Sequence, residues 1–289
     1  MMYALENDFL QVEVSGLGAE LKSLKFKPDL KERMWSGDPI YWNKTSPLLF
    51  PIVGSLKQNE YKFKDKVYQL NRHGFAREME FELVENNSTR LKFRLNSSEK
   101  TKNFYPFDFS LYVEYELNDA VLYCNYEVVN IGHDEMLFSI GAHPAFVVGN
   151  GTEASYNEYA LHFNKDNKIN CYKIYDGLIG EDYKEMVLKN NQLSLSYDLF
   201  YDDALVFKSL KSDLIILSND GGQTGLKFEF KDFPYFGIWA AENANFVCLE
   251  PWCGIADSVN HNQELSEKEG INSLSPTETF ERSWSVSLI

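Results

Sequence analysis

The chain has 289 residues, of which 44% are hydrophobic and 15% aromatic, and its formal net charge is −15. That apolar share is enough for a substantial core, and a negative field of this size repels phosphate backbones and anionic lipid surfaces. Nucleic acid and membrane are therefore not expected partners, and no apolar run approaches the ~18 residues needed to cross a bilayer.

The first eight residues, Met-Met-Tyr-Ala-Leu-Glu-Asn-Asp, lack the basic start and apolar stretch of a secretion signal. Residues 10–14 (Leu-Gln-Val-Glu-Val) then alternate, which predicts a half-buried strand. Residues 48–50 are apolar throughout and predict a strand covered on both faces. Alternation returns at 91–95, 113–117 and 193–197. A second apolar run, at 214–217, reads like the first. Residues 226–230 and 284–288 alternate again. Turn-forming clusters at 85–88, 96–98, 130–132, 190–191 and 219–222 separate these runs. Short strands broken this often predict an all-β sandwich or barrel. Helical signal is confined to one short turn at 265–269, stopped by Gly270. There is no linker, repeat or break in composition, so a single domain over residues 1–289 is expected.

Cys124, Cys171, Cys248 and Cys253 form no Cys-x-x-Cys pair and no zinc-spaced cluster. They read as reduced thiols of a cytoplasmic protein. Phosphate-loop, Gly-x-Ser-x-Gly and His-Glu-x-x-His motifs are absent, so no residue pattern calls for a metal or a cofactor.

Among the histidines, His133 reads as surface turn, His162 as a strand residue and His261 as loop. His73 (Arg-His-Gly-Phe) and His143 (Gly-Ala-His-Pro) differ, because each sits among small or rigid residues in an apolar setting. Glycine admits a close ligand, and Pro144 ends strand pairing, which leaves His143 at a strand end. Either could equally be a core histidine with a satisfied hydrogen bond. Glu250 is sharper: it interrupts the apolar run Phe-Val-Cys-Leu-Glu-Pro-Trp-Cys. A buried carboxylate is costly unless paired or functional. Arg77, four residues after His73, would share its face on an extended strand, and its planar fork of donors suits vicinal hydroxyls or an anion. Asp203 sits where polar sequence gives way to an apolar strand, and a plain turn carboxylate is the bland alternative there.

In the order and spacing of these motifs the chain resembles the aldose 1-epimerase family, the galactose mutarotase-like proteins. The resemblance runs nearly end to end. It takes in residues 16–24 (Gly-Leu-Gly-Ala-Glu-Leu-Lys-Ser-Leu), 46–54 (Ser-Pro-Leu-Leu-Phe-Pro-Ile-Val-Gly), 73–77 (His-Gly-Phe-Ala-Arg), 141–146 (Gly-Ala-His-Pro-Ala-Phe), 248–252 (Cys-Leu-Glu-Pro-Trp) and 268–276. It implies an all-β fold, a β-supersandwich of large antiparallel sheets with a sugar cleft on a concave face. It implies His143 as catalytic acid and Glu250 as catalytic base. It places substrate binding on His73, Arg77 and Asp203, with Asp202 as the alternative aspartate. The implied activity is interconversion of the α and β anomers of an aldohexose without metal or cofactor. The expected partner is a small-molecule sugar, and the chain is expected as a monomer or homodimer.

Two departures from the family pattern stand out. Residues 42–46 (Trp-Asn-Lys-Thr-Ser) lack the arginine usual in the hexose-6-phosphate branch, with Lys44 as a point-charge substitute, which points towards an unphosphorylated aldose. Pro276-Thr277-Glu278 replaces a Pro-Gly-Glu turn. The alternatives are a non-catalytic sugar-binding protein of the same fold, a hexose-6-phosphate 1-epimerase, and a glycoside hydrolase pairing Glu250 with Asp203 or Asp257.

Overall fold

A computed structural model describes residues 1–289. Every ladder between its strands is antiparallel. The largest sheet has nine strands, ordered from Gln192–Ser194 at one edge through Ala160–Phe163, Leu214–Ser218, Leu226–Glu229, Thr279–Leu288, Val121–Asn130, Phe109–Asn118 and Arg90–Asn96 to Glu82–Asn86. A seven-stranded sheet faces it, ordered Ile140–Gly141, Phe246–Cys253, Tyr235–Trp239, Leu205–Phe207, Lys168–Tyr175 and Leu178–Val187, with Ala145–Val147 also pairing with Phe246–Cys253. Phe228 of the first sheet meets Phe236 of the second at a centroid distance of 6.5 Å, and Phe146 meets Phe228 at 5.7 Å. The two inner faces share one contiguous apolar cluster. This is the β-supersandwich expected from the sequence.

The alternating segments become strands as their period dictates. Residues 113–117 bury every second side chain within Phe109–Asn118, and a tight turn at Asp119 and Ala120 joins that strand to Val121–Asn130 in continuous register. Three expectations need correction. Residues 48–50 are buried but form no continuous strand: Leu49 bridges Gly141 and Phe50 bridges Gly74, so the run is a covered loop tied to two other segments. Residues 214–217 are not covered on both faces. Leu214 and Ile216, which alternate with the buried Ile215 and Leu217, stay only half-buried on the outer face of the nine-stranded sheet. The alternation at 193–197 ends early: the strand stops at Ser194 and Tyr197–Phe200 coil into a single 3-10 turn. The short turn near Leu265 is present as Leu265–Glu267. All four cysteines are free, and no helix is long and apolar enough to cross a membrane.

The strand Phe246–Cys253 matters most for function, and all eight of its residues are buried. Ordinary alternation is lost because its inner face meets the core while its outer face forms the floor of a cleft.

Candidate active site

The cleft has a volume of about 320 Å³ and opens on the outer side of that strand. His143, Glu250, His73, Arg77 and Asp203 all line it. Asp202 is exposed and does not. The five candidate residues thus come together, although they lie far apart along the chain.

Register places the central pair. Gly141 pairs with Trp252, and Ala145 pairs with Cys248. His143 therefore lies opposite Glu250 as a non-hydrogen-bonded pair of the antiparallel register, the kind in which facing side chains come closest. Ala142 N–H donates to Pro251 O and Leu249 N–H to Pro144 O, which holds the two backbones together on either side. His143 Nε2 then stands 3.2 Å from Glu250 Oε2, with Glu250 2% exposed. On its other side Glu250 faces Gly237, whose missing side chain leaves room above the strand.

That room holds Trp252. A Cβ on Gly237 would lie 2.5 Å from the Trp252 ring, and one on Gly141 2.6 Å from it. Both glycines are therefore required for the indole to lie flat across the strands. Trp252 Nε1 is buried without a hydrogen-bond partner, as is His143 Nδ1. Two further tryptophans close over His143. Trp42 stacks on its ring at 4.9 Å, and Trp239 meets it edge-on at 5.8 Å.

This apolar setting controls the charge states. Burial pushes His143 down to about 3, with the Arg72 guanidinium acting in the same direction. Burial also raises Glu250 well above the usual carboxylate range, against the pull of Arg72. Burial thus disfavours the charged form of each group, the imidazolium of His143 and the carboxylate of Glu250 alike.

His73 arrives by a different route from the expected one. Residues 73–77 are not an extended strand. His73 and Gly74 both have φ of +70°, and Ala76–Glu78 form a 3-10 turn. A left-handed non-glycine residue stores strain that its surroundings must hold. Here the surroundings are explicit: His73 N–H donates to Gly54 O, and Gly54 N–H donates to His73 Nδ1 at 3.1 Å. The turn, and not strand periodicity, brings His73 and Arg77 to one cleft. His73 stands edge-on to His143 at 5.7 Å. Arg77 Nη2 donates to Arg72 O, while its Nε has no hydrogen-bond partner and only a loose 3.8 Å approach to Glu78 Oε1. Asp203, at a φ of +116°, faces Arg72 Nη2 at 4.0 Å.

Lys44 is not a substitute for the missing arginine in the cleft. Lys44 does not line it: its ammonium pairs with Glu78 at 2.8 Å, the carboxylate that also stands 3.8 Å from Arg77 Nε. Asp257 is also outside the cleft, buried against Lys268 Nζ at 2.7 Å. Among the lining side chains that escaped the sequence reading, Arg72, Trp42 and Trp239 stand against the candidate histidines His73 and His143. Arg72 had a weak signal in its place beside His73, whereas the two tryptophans had none.

For a metal, the nearest donor set is His143, Cys248 and Glu250, whose ligand atoms lie within 4.8 Å of one another. The set fits poorly. Burial raises the Cys248 thiol well above its usual range, with Glu250 adding to it, whereas metal ligation needs the thiolate. His143 Nδ1 also lacks the partner that normally orients a metal-binding imidazole.

The sequence profile of the aldose 1-epimerase family matches residues 1–271. Protein LacX, chromosomal, from Lactococcus lactis subsp. lactis is 32% identical over the full length of both chains. A galactose mutarotase related enzyme from Lactobacillus acidophilus superposes with a TM-score of 0.94 at 33% identity, over 100% of this chain and 97% of that one. A galactose mutarotase-like protein from Lactobacillus casei superposes with a TM-score of 0.93 at 28% identity, over the whole of both chains. The chain belongs to the aldose 1-epimerase family, and its fold and family are those of a mutarotase-like sugar epimerase.

Proposed function

We propose that the protein is an aldose 1-epimerase interconverting the α and β anomers of an aldohexose, with Glu250 as base and His143 as acid. The observation that carries this reading is the 3.2 Å contact of His143 Nε2 with Glu250 Oε2 on the floor of a tryptophan-walled cleft. Relatives described as galactose mutarotase related support an aldose as substrate.

In the reaction Glu250 takes the proton of the C1 hydroxyl while His143 gives its proton to the ring oxygen. The C1–O5 bond breaks and C1 becomes an aldehyde. Rotation about C1–C2 turns the other carbonyl face towards the C5 hydroxyl. The ring recloses as His143 takes the hydroxyl proton and Glu250 returns its proton to the C1 oxygen. Ring opening converts the charged pair, imidazolium and carboxylate, into a neutral imidazole and a carboxylic acid. Because burial disfavours both charges, the pair must first be brought into this charged form, which the opening step then discharges. Each positioned proton transfer is typically worth roughly 10²–10⁴ in rate.

A glycoside hydrolase would use a second carboxylate paired with Glu250. Histidine, not a carboxylate, is in contact with Glu250, and Asp257 is tied to Lys268. Asp203 shares the cleft and raises Glu250 through its charge, but it faces Arg72 at 4.0 Å. A hexose 6-phosphate is the second reading, favoured by the two guanidiniums of Arg72 and Arg77 in one cleft. The test is anomer exchange followed by magnetisation-transfer NMR across galactose, glucose, other aldoses and their 6-phosphates. Acceleration of the free sugars supports the first reading, acceleration of the phosphates alone the second. Saturable binding without acceleration would leave only a sugar-binding protein.

A further inference from the structure

The ring of His73 is fixed by its clasp with Gly54. A backbone N–H only donates, so His73 Nδ1, which receives the Gly54 N–H, carries a lone pair. Turning the ring over would place a carbon before that buried N–H and leave it unpaired, so the ring orientation is fixed as well. Burial holds the imidazole neutral, with His143, Arg72 and Arg77 acting in the same direction. A neutral imidazole with its lone pair on Nδ1 carries its proton on Nε2.

Arg72 Nε points at this same Nε2 from 3.2 Å. The guanidinium Nε is always protonated and only donates. Two N–H bonds therefore face each other with no acceptor between them. One oxygen atom, having two lone pairs, would satisfy both. Arg72 has freedom to admit it, since half of its side chain is exposed and its other contact in the cleft is the loose 4.0 Å approach to Asp203.

We propose that Arg72 and His73 form a two-donor site completed by a single hydroxyl oxygen of the bound aldose, which makes Arg72 a substrate-binding and specificity residue. This rests on the reading of the cleft as an aldose site. Asp203 offsets the Arg72 charge, so the site suits an uncharged hydroxyl better than a phosphate.

The test begins with nitrogen-15 NMR of the intact protein, in which the His73 ring is assigned by comparison with His73→Gln. The expected state is the Nε2–H tautomer, without titration between pH 6 and 8. D-Galactose, D-glucose and their monodeoxy derivatives are then added as probes. The parent sugars are expected to shift the His73 Nε2–H and Arg72 Nε–H signals together, and one monodeoxy derivative to leave both in place. Arg72→Leu is expected to weaken binding of the parent sugars about tenfold or more while leaving that one derivative within about twofold. An Nδ1–H tautomer, an imidazolium at neutral pH, or equal losses for parent and every derivative would overturn the site. So would failure of every probe to move the two signals. Anomer exchange measured on the same samples keeps the two ideas apart. Wild-type protein that binds sugar here without accelerating exchange loses the proposed activity and keeps this site. Wild-type acceleration with an unchanged KM in Arg72→Leu does the reverse.

Discussion

His143, in the short link between Ile140–Gly141 and Ala145–Val147, faces Glu250 of Phe246–Cys253, Nε2 to Oε2 at 3.2 Å, in a register set by the Gly141–Trp252 and Ala145–Cys248 pairs that flank them. The contact is thus anchored in sheet hydrogen bonding and not in a mobile loop. Rigid placement of this kind is what proton transfer to adjacent oxygens of one sugar needs.

Removing either partner should therefore remove catalysis and spare the fold. Glu250→Gln and His143→Asn are each expected to lower polarimetric mutarotation by about 10²–10⁴, with an unchanged far-ultraviolet circular dichroism spectrum. Near-normal rates in either variant would sink the assignment.

The same burial gives stability an opposite response. Glu250 holds its proton more tightly folded than unfolded, so its contribution is complete below the ordinary value of 4.5 and is lost as pH rises through the raised folded value. His143 is depressed from 6.5 to about 3, so its contribution is present above 6.5 and is lost as pH falls towards 3. Gln at position 250 has no proton to lose. Glu250→Gln is thus expected to melt higher than wild type, by a margin that grows between pH 5 and pH 8. A margin independent of pH in thermal melts would show that the carboxylate is not strongly desolvated.

Gly237 tests the bed of Trp252. Its backbone is not left-handed, so Gly237→Ala acts through sterics alone, with the new methyl 2.5 Å from the indole. Overpacking of this kind costs about 1–3 kcal/mol, and the displaced ring carries one wall of the cleft with it. A lowered Tm together with a raised KM is expected. A loss of stability with unchanged KM would mean that Trp252 only packs.

The turn at Pro276-Thr277-Glu278 makes a further prediction. Thr277 has a φ of +71°, a region that a β-branched side chain rarely adopts. Thr277→Gly should relieve that strain and raise stability by about 0.5–1 kcal/mol, read as a Tm increase of about 1–3 °C. Activity should be unchanged, because Thr277 does not line the cleft. An unchanged or lower Tm would contradict the strain.

By itself the sequence determined the class of fold and the oddity of Glu250. Side-chain alternation is local, and so is a carboxylate in an apolar run, so residues 113–117 of Phe109–Asn118 and the run Phe246–Cys253 both declare themselves in a few residues. Only the tertiary structure decided what meets what. That His143 faces Glu250, that Trp42 and Trp239 close over it, and that Arg72 points at His73 depend on register and on a left-handed turn, which bring together residues distant in the chain. For the same reason residues 48–50 and 214–217, alike in sequence, part company. A run of apolar residues states that it will be buried, but whether one face or both are covered depends on what the rest of the chain lays over it.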